Sequence, residues 1–281
     1  MPDPTQLPFL LKLLDDETPG IREKVLAELE AFGPSLQSEL ARLRVPPTAD
    51  QTRTMRELLE RRMREWLRTA WPSWFSLHDD KEQLEAALNL IAVFQLGRNY
   101  PISLTTHLDR LAQEFAASQR HGDARDLSLF LFQSEGLAGN HSDYYNPKNS
   151  NLVYVIEQKS GIPISLACVY ILVGHRLGLD IEGCNVPGHF LTRAYVDGKL
   201  VIVDCFNGGM LLDEEDLSKL NNTLPLSVND IAALECQAPT IIARVIRNLV
   251  NAYHLRNDEE NKKLMTDLLQ MLEGVEKDSP E

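Results

Sequence analysis

A chain of 281 residues, 43% of them hydrophobic, can bury a sizeable core in one large domain or two smaller ones. Its formal net charge of −13 argues against nucleic-acid phosphate or an anionic membrane as the main partner. Its four cysteines show no paired spacing, so no disulfide framework is expected, and no apolar run reaches the length of a bilayer. The opening MPDPTQLPFLLKLLDDE has neither the basic region nor the long apolar run of a signal peptide, so a cytoplasmic location is expected.

Residues 4–45 read as a helical hairpin. Leu10, Leu11, Leu13 and Leu14 form one apolar stripe, residues 15–20 a polar turn, and Ile21, Val25, Leu26, Leu29 and Phe32 a second stripe that Gly33-Pro34 ends. The phrase LLDDETPGIREKVLAELEAFG resembles one HEAT unit, but a single copy cannot build a solenoid core, so an ordinary hairpin packed on the domain is expected. Pro46-Pro47 opens a short linker. Residues 53–68 make a charged helix in which arginines and glutamates pair across a solvated face. Trp66, Trp71, Trp74 and Phe75 gather around Pro72 and should anchor that helix end in the core.

An amphipathic helix over residues 79–94 follows, with Leu84, Ala87, Leu88 and Ile91 on one face. Another runs over residues 103–117 through Leu104, Leu108, Leu111 and Phe115. The dense apolar run 127–133 reads as a buried helix. Residues 136–150, GLAGNHSDYYNPKNS, form a loop long enough to carry function, and Asn149 or Ser150 can cap a helix over residues 151–159. Tyr144, Tyr145, Asn146 and Asn149 are candidates to line a cleft in front of the next helix.

That next stretch, residues 161–209, organises the chain. Ser160 and Gly161 can cap a helix whose first turn holds Pro163, where a missing N–H costs nothing. Residues 164–177 are almost continuously apolar, as in a helix buried on most sides, and Gly178 can end it in a left-handed conformation. Strand-like runs follow at residues 181–186 and 189–196. Asp197-Gly198 then makes a two-residue hairpin turn into a strand over residues 199–206. This turn pairs Val196 with Lys199, sets Asp204 opposite Leu191 and makes His189 its diagonal neighbour. A carboxylate there can hold the imidazole in one tautomer, as the third member of a nucleophile–His–Asp site does.

Asn146-Pro147-Lys148-Asn149-Ser150, Gly161-Ile162-Pro163-Ile164-Ser165-Leu166-Ala167, Pro187-Gly188-His189-Phe190 and Val203-Asp204 together resemble the transglutaminase-like core, a branch of the papain-like cysteine enzymes, and within it the SirB-type family. The resemblance implies a Cys nucleophile at the start of the core helix, with His189 and Asp204 as its partners. Aligned on Gly161 and Ala167, that position holds Pro163, which has no nucleophilic side chain. Ser165 is the nearest hydroxyl. Cys168 lies five residues beyond Pro163, about 500° of rotation, and so points about 140° away.

Asn207-Gly208-Gly209 forces a turn, residues 210–212 form a short strand, and Asp213 caps a small acidic helix over 214–220. Two helices, 239–256 and 259–275, close the chain with apolar stripes and resemble the tetratricopeptide-type tail of this family, expected here to pack on the core. Cys184, His189 and Cys205 can approach one another, but no close-spaced ligand pair supports a metal. Neither a P-loop nor a dinucleotide fingerprint is present, so no cofactor is expected.

The expected fold is α+β, predominantly α. A helical N-terminal region (1–75) precedes a transglutaminase-like (papain-like) core with a small antiparallel sheet (76–235) and a C-terminal helical hairpin (236–281). Two functions follow. One is a non-catalytic transglutaminase-like protein that acts through protein interaction or regulation. The other is an active hydrolase or acyltransferase that uses Ser165, or a cysteine such as Cys168 or Cys184, with His189 as base and Asp204 orienting it. A protein is the expected partner, and the sequence leaves oligomeric state open.

Overall fold

The computed structural model covers the chain, and its described residues are all but 1, 15, 17, 119–121, 214, 218–226 and 279–281. The fold is α+β and predominantly helical. Helices α1 (Leu7–Leu13) and α2 (Pro19–Ala31) form the N-terminal hairpin, followed by the short α3 (Leu36–Ala41). Their buried side chains, including Leu7, Leu11, Leu14, Val25, Leu26 and Leu29, make a small core that reaches Met55 of α4 (Ala49–Ala70). Leu13 and Ile21, expected in the stripes, are 40% and 38% exposed, because the helical period carries Leu7, Leu11 and Leu14 inward instead.

Helix α4 starts earlier than expected. Thr48 accepts from the Gln51 N–H while the Gln51 side chain returns a bond to the Thr48 N–H, a capping box that fixes the start at Ala49. Its far end enters the main core through Leu67, and Trp71 and Trp74 lie buried just beyond. Helices α5 (Asp80–Leu96), α6 (Leu104–Ala117) and α7 (Ala124–Leu129) follow, each capped by an Asp or Ser side chain. The run 127–133 is helical, and α7 widens into a π-turn over Phe130–Ser134.

Strands β1 (Ala138–Gly139) and β2 (Ser160–Gly161) pair in parallel across the loop 140–151. This corrects one expectation, because Ser160 and Gly161 are strand residues and do not cap the core helix. It corrects another as well. Asn151, not Asn149 or Ser150, caps α8 (Leu152–Gln158) by accepting from the Tyr154 N–H at 3.2 Å.

The core helix α9 (Pro163–Arg176) opens on Pro163 and is buried from Ile164 to Gly174. It packs against an antiparallel sheet of β3 (Ile181–Cys184), β4 (Leu191–Val196), β5 (Lys199–Asp204), β6 (Met210–Leu212) and β7 (Glu235–Cys236), ordered β6-β5-β4-β3-β7. The observed register matches the hairpin reading, with Val196 on Lys199 and Thr192 on Val203. Gly174 makes the close approach possible, since a Cβ there would sit 2.5 Å from Ile181 Cδ1. Gly178 follows with φ of +70°. The expected acidic helix 214–220 lies mostly outside the described residues.

After α10 (Val228–Ala232), helices α11 (Ala238–Leu255) and α12 (Glu259–Asp278) pair as a hairpin. Ile241, Ile242, Val245, Ile246 and Leu249 join the same core as α5 and α9. A polar clamp reinforces the junction. Lys81 bridges Asp80 and Glu182 of β3, while Asp80 Oδ1 accepts from the Ala238 N–H at 2.6 Å. Among the described residues no helix is long and apolar enough to cross a membrane.

Candidate functional site

The site forms where one end of the sheet meets the start of α9. The turn between β3 and β4 closes with the His189 N–H donating to the Val186 carbonyl at 3.0 Å, and Gly188 supplies a φ of +80°. Asp204 ends the partner strand β5. Both residues line a cleft of about 240 Å³, together with Pro163, Tyr144, Phe206 and Asn207. The structure thus brings four residues singled out in the sequence, Tyr144, Pro163, His189 and Asp204, to one cavity.

The side chains within it are not wired as a dyad. Asp204 is 4% exposed, and its Oδ1 accepts from the backbone N–H groups of Phe206 and Asn207 at 3.0 and 3.2 Å. Its Oδ2 accepts from Asn207 Nδ2 at 2.7 Å. The carboxylate therefore closes the turn that follows β5. The half-buried His189 imidazole makes no hydrogen bond among the described residues, to Asp204 or to any other group. Pro163 is the first residue of α9, so a ring without a proton to give occupies the position beside them.

Ser165 lies away from the cleft. It is 1% exposed, and its hydroxyl donates to the Asn149 carbonyl at 2.6 Å. All four cysteines are buried and free. Burial pushes the thiols of Cys168 and Cys205 far above their ordinary value, that of Cys184 up to about 12 and that of Cys236 up to about 11. A thiol nucleophile at neutral pH needs the opposite shift.

The loop candidates divide. Tyr144 lines the cleft, its ring 6.1 Å from that of Phe206, and burial raises its phenol above the usual range. Tyr145 packs edge-on against Tyr144 at 5.2 Å and is 54% exposed. Asn149 is fully buried. Its amide donates to the carbonyls of Asp143 and Tyr144 at 2.7 and 2.9 Å and its oxygen accepts from Asn140, so it holds the loop that presents Tyr144. Asn146 caps a short turn, accepting from the Lys148 N–H at 3.0 Å, and lines a different cavity.

Sequence reasoning missed three contributors. Phe206 and His141 pack with ring centroids 4.6 Å apart and planes tilted by 60°, forming an aromatic edge. Arg244, on α11, lies 5.3 Å over the Phe190 ring and donates to the Asn185 side chain and to the Val186 carbonyl, bracing the turn that carries His189. No local pattern announces such a contact between residues this far apart in the chain. Among the described residues no group of three or more His, Cys, Asp or Glu side chains is placed to hold a metal ion.

A family model described as the transglutaminase-like superfamily matches residues 102–247. The chain is 36% identical over 199 residues to a UPF0162 protein of Xylella fastidiosa strain 9a5c, covering 65% of this chain and 69% of that protein. It is 24% identical over 209 residues to human F-box only protein 21, covering 70% of this chain and 32% of that protein. A UPF0162 protein of Vibrio cholerae is 32% identical over 83 residues, 29% of this chain and 30% of that protein. No solved structure gives a significant match.

Proposed function

Because the chain belongs to the transglutaminase-like superfamily, we propose that it is a non-catalytic member whose cleft and helical flanks engage a protein partner. The observation that carries this reading is Pro163 opening α9 inside the cleft, beside His189 and Asp204, where a nucleophile would stand. No cysteine lines that cleft, and the Ser165 proton is given to a backbone carbonyl. An active hydrolase or acyltransferase using Ser165 or a cysteine draws less support, since it needs a base against a hydroxyl or thiol that the fold keeps buried.

We further place the chain in the SirB-type branch, with residues 1–75 as a helical N-terminal region, 76–235 as the core and 236–281 as a tetratricopeptide-like tail. The net charge of −13 and the absence of any membrane-crossing helix among the described residues accord with a cytoplasmic protein whose partner is another protein. The exposed faces of Tyr144 and Tyr145 offer such a partner rigid, amphipathic contact area.

The test restores what the cleft lacks. A Pro163→Cys variant places a thiol at the first turn of a helix and in the same cleft as an imidazole, two influences that lower a thiol pKa. The introduced thiol is expected to be alkylated rapidly below pH 7 and to lose that reactivity in the Pro163→Cys/His189→Ala double variant. Reaction no faster than a free thiol would show that position 163 does not face the site and would remove the basis of this reading.

A further inference from the structure

Arg244 of α11 is half-buried beside the cleft, 5.3 Å over the ring of Phe190, which lines it. Of its N–H donors only those of Nη1 are used, toward the Asn185 side chain and the Val186 carbonyl, and neither acceptor carries a charge. Nε and Nη2 bond to nothing among the described residues, and neither is sealed from solvent. Arg176 and Arg193, also half-buried, each pair with two carboxylates.

The carboxylates around Arg244 are already taken. Asp204, which lines the cleft, accepts three bonds from its own turn. Asp143, next to Tyr144 in the loop, pairs with Arg256. Asp80, Glu182 and Glu235, which act on the neighbouring Cys236 thiol, pair with Lys81 and Arg193. Burial therefore pushes the Arg244 guanidinium below its ordinary pKa, and the groups that act against this are the Cys236 thiol and the Tyr144 phenol, both uncharged at neutral pH.

A guanidinium drawn from water without a counter-ion is costly, and its planar fork matches the two oxygens of a carboxylate. The Tyr144 hydroxyl, which makes no hydrogen bond among the described residues, adds a further donor from the cleft wall. The net charge of −13 repels an acidic run or a doubly charged phosphate more strongly than one carboxylate. The rings of Tyr144, Phe206 and His141 alongside suit an apolar or aromatic side chain.

We propose that Arg244 and Tyr144 receive a single carboxylate of the protein partner, set beside an apolar side chain that packs on the aromatic edge. A C-terminal residue and an Asp or Glu side chain share this chemistry. The proposal deepens the reading of the cleft as a protein-binding site and rests on it. The alkylation of Pro163→Cys judges that reading, and the titration below judges the carboxylate.

NMR titration of the full chain tests it with acetyl-Gly-Gly-Phe, which has a free C-terminus, and with acetyl-Gly-Phe-Glu-Gly-amide. Acetyl-Gly-Gly-Phe-amide, without a carboxylate, is the control, and acetyl-Gly-Gly-phosphotyrosine-amide carries the rival anion. One or both carboxylate peptides are expected to bind at millimolar Kd or tighter and to shift the amides of residues 144–145 and 185–191, with the control about tenfold weaker. Binding of the first alone identifies a chain end, and of the second alone an acidic side chain. Arg244→Lys keeps the charge and loses the fork, and should weaken Kd about tenfold. Tyr144→Phe should weaken it about threefold, and its exposed position keeps the test decisive should Arg244→Lys fold poorly. Binding at the cleft that ignores Arg244→Lys would overturn the proposal and leave the reading of the cleft intact. No binding by either carboxylate peptide, a control that binds as tightly, tighter binding of the phosphopeptide, or a Kd unchanged in Tyr144→Phe would also overturn it.

Discussion

Asp204 and His189 share a cleft but face different demands. The Asp204 carboxylate takes three hydrogen bonds from its own turn, two of them from backbone N–H groups that would otherwise be left without a partner. Asp204→Ala should therefore lower stability by about 1–3 kcal/mol in urea unfolding. His189 makes no side-chain hydrogen bond and is half-buried, so His189→Ala should fall within about 0.5 kcal/mol of the parent. Equal losses for the two variants would contradict the division of roles. That both residues lie at one end of the sheet was legible from one turn, because Asp197-Gly198 sets the register of β4 on β5. What their atoms bond to was not legible. A carboxylate near an imidazole and a carboxylate closing a turn share one sequence pattern, and here the Phe206 and Asn207 N–H groups and the Asn207 side chain decide for the turn.

At the scale of elements, the loop 140–149 and the start of α9 are one unit joined through Asn149. Its amide group holds Asp143, Tyr144 and Asn140, while its carbonyl receives the Ser165 proton. Ser165→Ala should cost about 1 kcal/mol through the lost bond and the exposed need of the carbonyl. Asn149→Ala removes three bonds from a fully buried site and should cost about 3 kcal/mol, with faster amide exchange at residues 140–146. Exchange spread evenly over the chain would contradict this local role. The sequence showed polar residues before a helix and suggested caps at Asn149 or Ser150. The observed cap is Asn151, since the preceding residues wind into a short turn of their own and the parallel pairing of β1 with β2 claims Ser160 and Gly161. A two-residue parallel pair carries no periodicity to read.

Across the molecule, the apolar patterning gave the helices and the hairpin because their periods are long enough to register. The cavities were invisible to it, since they arise where α4, α5 and α11 converge from distant parts of the chain. The same burial that fills the core keeps four thiols protonated. An unfolded thiol titrates near its ordinary value of about 9, whereas the native ones titrate higher because burial disfavours the thiolate. Above about pH 9 the unfolded chain therefore binds fewer protons than the native one, and stability falls as pH rises, by about 1.4 kcal/mol per pH unit for each thiol. Unfolding midpoints should drop steeply from pH 9 towards the native values, and Cys168→Ala should flatten the slope by one thiol's share. A slope unchanged by that substitution would show that the thiol is not the titrating group.

The central claim is that this transglutaminase-like cleft has no nucleophile, and brief alkylation of the native protein and of His189→Ala across pH tests it most directly, with mass spectrometry identifying each modified cysteine. The account predicts that Cys168, Cys184, Cys205 and Cys236 all react slowly below pH 7 and at the same rates in both proteins, since each is buried with its thiol pushed upward. A cysteine that reacts fast below pH 7 in the parent and loses that reactivity in His189→Ala would be a thiolate paired with an imidazolium, and would contradict the account.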